Sequence, residues 1–243
     1  MLYPLILLAV LLTAVLSGVL GMAGGMILMA VLVSTLSVAT AMMLHGAVQL
    51  TSNGSRAWFL REHIRWEIFP AYVVGTVVAL GLFSAVLFQP DAGLVLILVG
   101  AFPILARFTK RLRGLDITRP LTTIACGFVV TSAQLLAGAS GPLLDLFYLN
   151  SPLDRHAVVA NKAITQAFGH AIKLVYYGLI IGAAESISPW FYALAMATAV
   201  LGTRIGTRLL DHLAEDSFRR WSARVILTIA VLCIIRGVWS LGW

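Results

Sequence analysis

Long apolar stretches recur along this chain, and glycine interrupts two of them, at Gly21-Met22-Ala23-Gly24-Gly25 and at Gly138-Ala139-Ser140-Gly141-Pro142. Hydropathy predicts penetrating segments over 2–33 (broken near 18–25), 39–60, 68–88, 91–108, 120–149 (broken near 138–142), 156–177, 189–209 and 221–240. After each break comes a segment whose polar residues fall on one helical face. His45, Gln49, Asn53 and Arg56 are spaced 4, 4 and 3 apart, and so are Lys162, Gln166, His170 and Lys173. The shift that carries one break onto the other, 138 − 21 = 117, also carries the first stripe onto the second without a gap.

Both halves therefore share one format: a broken segment, a polar-striped helix, a helix with small residues four apart, and a plain apolar helix. The small-residue pairs are Gly75 with Ala79 and Gly202 with Gly206, a spacing that allows close helix contact. They align at 202 − 75 = 127, so the second half carries a loop longer by 127 − 117 = 10 residues. Identities between the halves are few, and the repeat rests on matched format and matched polar positions. The expected fold is an all-α polytopic membrane protein of two repeats, 1–110 and 120–243, joined by a basic linker at 111–119. Broken hydrophobic segments at corresponding positions of two halves point to a transporter with its site where the breaks meet.

Composition agrees. With 60% hydrophobic and 11% charged residues and a mean hydropathy of +0.96, the chain has too little polar surface to cover a soluble globule. The spans leave no room for a separate soluble domain. Leu2–Leu20 lacks a basic leader and an Ala-x-Ala-like cleavage site, so it is expected to stay in the mature protein. Cys126 and Cys233 sit in apolar runs without ligand spacing, and neither a metal nor another cofactor is expected. His45, His170 and Asp145 make no spacing typical of nucleophile or metal chemistry, so the chain is not expected to be an enzyme.

The net charge of +7 is concentrated in short loops, which suits lipid headgroups and gives no groove for nucleic acid. Arg61 and Arg65, then Arg107, Lys110, Arg111, Arg113 and Arg119, then Arg208, Arg219 and Arg220 mark three cytoplasmic connections. The connections near 88–91 and 178–188 carry no Lys or Arg and should face outward. Equivalent loops thus fall on opposite sides, which requires inverted repeats, re-entrant broken segments and both termini outside. The alternative, a parallel repeat with fully crossing broken helices, would strand Arg208, Arg219 and Arg220 outside. Irregular backbone at membrane depth must be enclosed by protein, so the breaks belong at the centre of the fold.

The stripes are cationic or neutral and rich in donors, which suits an anion. Ionisable groups at membrane depth cost roughly 2.5–3.5 kcal/mol on insertion scales, so such a face should line a polar cavity. Competing readings stay open: Arg56 and Lys173 could snorkel to the interface, and Gln49 and Gln166 could serve as interhelical hydrogen-bond glue. Lys162 has a candidate neutralising partner in Asp145. Ser140 is a plausible N-cap before Gly141-Pro142, and a second half-helix should start near Gly25. Such helix starts offer free amides and a positive dipole end to an anion. The bland alternative for the glycines, tight helix crossing, applies best to Gly18 and Gly21. The candidate substrate-binding residues are Gly24, Gly25, His45, Gln49, Asn53, Ser140, Gly141, Lys162, Gln166 and His170. His45 or His170 could carry a coupled proton. The small-residue face at Gly202 and Gly206 serves either an internal contact or a homodimer.

These residues resemble the sulfite exporter TauE/SafE family of bacterial inner-membrane permeases. The resemblance spans nearly the full length through Ser17-Gly-Val-Leu-Gly-Met-Ala-Gly-Gly25, Gly138-Ala-Ser-Gly-Pro142, the Gln49 and Gln166 helices and the duplicated layout. Relatives typically carry a longer glycine run in the first motif and a second glycine where this chain has Pro142. The resemblance implies movement of small sulfur-containing anions such as sulfite, thiosulfate or organosulfonates, with export as the expected direction. An uptake permease for the same anions and a non-transporting membrane scaffold are the alternatives.

Overall fold

The computed structural model describes residues 2–20, 23–109, 115–182, 187–210 and 215–242. Gly21 and Met22 of the first break, Lys110, Arg111 and Arg113 of the central basic loop, and parts of the 178–188 and 210–220 connections lie outside the described residues. Regular structure among the described residues is entirely helical: α1 (Leu2–Leu20), α2 (Ala23–Val33), α3 (Val38–Phe59), α4 (Phe69–Val86), α5 (Ala92–Thr109), α6 (Pro120–Ala137), α7 (Gly141–Tyr148), α8 (Arg155–Val175), α9 (Pro189–Leu210) and α10 (Glu215–Ser240). The last helix starts at 215, earlier than the apolar run alone suggests, because hydropathy does not register its polar first turns. A π-helical turn, Tyr176–Ile180, prolongs α8.

Local chemistry sets the helix ends. The Ser37 hydroxyl caps α3 by accepting from the Thr40 N–H, and the Asp154 carboxylate caps α8 by accepting from the Ala157 N–H at 2.9 Å. That backbone bond holds the Asp154 carboxyl below its ordinary range. Proline stands in the first turn of α4, α6 and α7, where a missing N–H costs nothing. Gly138 ends α6 with φ +72°, a left-handed conformation that a side chain disfavours.

Each broken segment is a helical hairpin. The Ile117 N–H, just before α6, donates to the Phe147 carbonyl near the end of α7 at 3.0 Å, so α7 returns along α6. In the first half Gly24 lies against Thr13 and Ser17, and Leu28 shares a small cavity with Thr13 and Ala14, so α2 returns along α1.

The dominant packed pairs are α1 with α9, α4 with α6, α5 with α10, and α3 with α8. Replacing every helix by the one five places away leaves this set unchanged. Direction follows from the contacts. Tyr3 packs on Phe191 and Gly206 on Gly18, so α1 and α9 run parallel. Gly127 abuts the Tyr72 carbonyl and Thr131 bonds Thr76, so α4 and α6 also run parallel. The counterpart pairs run antiparallel: in one, Gly178 meets Met43 while the Arg65 N–H reaches Asn161. In the other, Gly93 meets Leu241 while Gly100 meets Ala230.

Small residues make these approaches possible. A Cβ at Gly202 would run into Ala14, and one at Gly206 into the Val15 carbonyl. The Gly202–Gly206 face is therefore covered by α1 within the chain and is not available for the homodimer contact considered from sequence.

Polarity is distributed inside out. Leu5, Leu8 and Leu12 on α1, Val74, Val77, Val78 and Leu82 on α4, and Leu232 and Ile235 on α10 are exposed, whereas His45, Asn53, Gln134, His170 and Lys173 are buried. An outer surface this apolar fits lipid rather than water. Among the described residues, α4 and α6 are long and apolar enough by length and composition to cross a bilayer, with shorter apolar helices at 2–18, 24–33 and 92–108. Trp66, Trp190 and Trp239 are more than half exposed near helix ends, as an interfacial aromatic belt requires.

Candidate functional site

The hairpin turns and the striped helices converge on one cavity. Its walls are Ser17 from α1, Gly25 and Met26 from α2, His45, Gln49 and Asn53 from α3, Ala139, Ser140 and Gly141 at the second turn, and Gln166 and His170 from α8. Among the described residues the walls hold hydroxyls, amides and imidazoles but no carboxylate. A water-sized sphere can be centred over about 20 Å³, room for one or two waters.

Local folding explains the convergence. Residues four apart on α3 and α8 share a face, and the antiparallel crossing of the two helices turns those faces toward each other, with the His45 and His170 rings 5.5 Å apart. The first turns of α2 and α7 reach the same place, bringing the positive ends of two short helices to the cavity.

Of the ten positions predicted from sequence, Gly24 and Lys162 are absent from the walls. At Gly24 a Cβ would strike the Thr13 carbonyl and Ser17, so this glycine lets the arms of the hairpin close. Lys162 Nζ contacts the Asp145 carboxylate, its anticipated partner, and that charge is satisfied away from the cavity. Ser140 stands at the N-cap of α7, where its carbonyl accepts the Leu143 and Leu144 N–H groups at 3.0 Å each, but its hydroxyl makes no capping bond. The Ser140 Oγ and the His170 Nδ1 are buried with no hydrogen-bond partner among the described residues. Buried polar atoms in this condition usually serve an unseen partner such as water or an ion. Asn53 donates to the Gln49 carbonyl at 3.0 Å, which fixes its amide along the stripe.

His45 is held from both sides. Its Nε2 lies 2.8 Å from the Gly25 carbonyl, which can only accept, so Nε2 carries the hydrogen and Nδ1 accepts from Lys173 Nζ at 2.9 Å. Lys173 Nζ also donates to the Gly138 carbonyl at 3.0 Å. Snorkelling of Lys173 is thereby corrected: its side chain is fully buried, because the π-helical turn carries the helix on past it. The Lys173–His45 link joins a carbonyl at one hairpin turn to a carbonyl at the other.

Sequence reasoning passed over Gln134, on the first arm of the second hairpin. It is fully buried against Gly169, and neither amide atom has a partner among the described residues. A signal existed: 134 − 17 = 117, so the repeat shift pairs Gln134 with the cavity residue Ser17.

Comparison with curated proteins and with solved structures gives no match. A family model does match, over residues 6–233 of the 243, and the chain belongs to the sulfite exporter TauE/SafE family.

Proposed function

We propose that this protein exports small sulfur-containing anions such as sulfite or organosulfonates across the bacterial inner membrane, by alternating access around the cavity between its two hairpin turns. Family membership implies a sulfur-anion membrane transporter or permease, not an enzyme. The observation that carries the site is the cavity itself. It draws donors from both hairpins and both striped helices, contains no acid, and retains two unpaired buried polar atoms. An oxyanion stripped of water needs such donors, and bonds to a charged partner are the stronger kind.

Alternating access requires two halves that move against each other. The exchange-symmetric helix pairing supports two repeats, 1–110 and 120–243, about the linker 111–119. The antiparallel run of α3 against α8 and of α5 against α10 supports an inverted relation, since a parallel repeat would align counterpart helices in one direction. The loop charges support a cytoplasmic linker and both termini outside. The cavity is narrow for a whole sulfite, so this arrangement corresponds to a closed state that widens as the halves part.

A thermal-shift screen of purified protein against sulfite, sulfate, thiosulfate, sulfoacetate and taurine tests the reading. A ligand at 100 times its dissociation constant stabilises the native state by about 2.7 kcal/mol, so a bound anion should raise the melting temperature visibly. Sulfite or a near relative is expected to do so and zwitterionic taurine to do least. Equal indifference to all five would contradict the assignment.

A further inference from the structure

Lys173 is an amine without an acid. It is fully buried and donates to His45 Nδ1 and the Gly138 carbonyl, and among the described residues no carboxylate lies within ion-pair distance of it. Inside an apolar bundle an uncompensated ammonium is costly. The missing negative charge has an obvious source: one wall of the cavity is the His45 ring that accepts from Lys173, and Ser140 in another wall is two residues from Gly138. We propose that anion and proton are taken up together, with Lys173 Nζ as the proton's site and His45 as the link between that site and the cavity.

The inference rests on the anion-transport reading and adds its coupling. When the lysine is protonated, an anion a few ångströms away is attracted through a medium far less screening than water. Linkage makes the effect reciprocal: whatever factor the protonated lysine adds to anion affinity, the bound anion adds to proton affinity. A proton from water enters with the anion and leaves with it.

Other ionisable groups around Lys173 are few. The titratable groups facing it are His45 on α3 and His170 one turn back on its own helix. Beyond it, the Tyr176 hydroxyl donates to the Phe83 and Phe88 carbonyls and the Tyr177 hydroxyl to the Leu135 carbonyl. On α7, Asp145 is engaged with Lys162. Neither α2 nor α6 carries a charged residue, α4 contributes only Tyr72, and Arg56 stands three turns further along α3. Because the Lys173–His45 link ties Gly25 of one hairpin to Gly138 of the other, proton and anion occupancy act on both turns at once.

Calorimetric titration of the purified full-length protein with sulfite, in buffers of different ionisation heat, reads the proton directly. The wild type should show a buffer-dependent heat corresponding to proton uptake with the anion. Lys173→Arg keeps a charge that does not titrate, so it should bind sulfite without that uptake. Lys173→Met, which replaces the amine by an apolar group of similar length, should bind about tenfold more weakly or worse, any residual heat being independent of buffer. Repeating the titrations with thiosulfate, a dianion that does not titrate near neutral pH, separates uptake by the protein from any change in the protonation of sulfite itself, and the same pattern across the three proteins is expected. Wild-type proton uptake persisting in Lys173→Met, or wild-type binding without proton uptake, overturns the coupling alone. Absence of binding by the wild type overturns the transport reading with it.

Discussion

Replacing Gln49 and Gln166 together by alanine is expected to weaken sulfite binding by a factor on the order of 10²–10⁴ and to stop transport. The estimate follows from two hydrogen bonds to a charged ligand at about 1.5–3 kcal/mol each. Both glutamines lie in the cavity wall, one on each striped helix. A role as interhelical glue predicts instead a drop in melting temperature with affinity retained. Glutamate separates the readings further. Gln49→Glu and Gln166→Glu keep the side-chain volume but add a negative charge, so against an anion each should be worse than the corresponding alanine. Ligand-dependent melting curves of Gln49→Ala, Gln49→Glu, Gln166→Ala and Gln166→Glu measure this, and a glutamate variant that binds as well as wild type would refute a donor role for that position.

The second large effect is structural. His45→Leu should destabilise the fold by about 3 kcal/mol, because it removes the bond to the Gly25 carbonyl and leaves Lys173 one acceptor fewer in a buried site. Each hairpin turn is anchored by that one chain of bonds, so the loss should appear as a melting temperature lower by several degrees even without ligand. The double variant His45→Leu with Lys173→Met should recover part of it, since no unpaired amine remains. Additive losses in the double variant would argue that the two side chains are not coupled.

The broken segments and the polar stripes could be read from sequence because each is a pattern within one helix. Glycine punctuation marks a break near 138–142 and a helix start at Gly141-Pro142, where α6 ends and α7 begins, and spacing marks the polar faces of α3 and α8. What spacing does not carry is how one helix is rotated against another. Lys162 and Lys173 belong to the same stripe, yet one meets Asp145 at a partly exposed site while the other lies fully buried against His45. Gly24 and Gly25 are neighbours, yet the first closes the hairpin against Thr13 and the second faces Gln49 and the cavity. Gln134 escaped notice for a related reason: a single amide in an apolar arm has no partner on its own helix to form a stripe with. Its significance depends on Gly169, which chain separation hides.

Passage of a sulfur anion through the cavity where the hairpins meet can be measured without purifying any partner. The most direct measurement is counterflow of radiolabelled sulfite in proteoliposomes, comparing the wild type with the Gln49→Ala, Gln166→Ala double variant. The expected result is saturable accumulation by the wild type, competed by unlabelled sulfite and absent from the double variant. Wild-type accumulation no greater than in protein-free liposomes, or undiminished accumulation by the double variant, would contradict it.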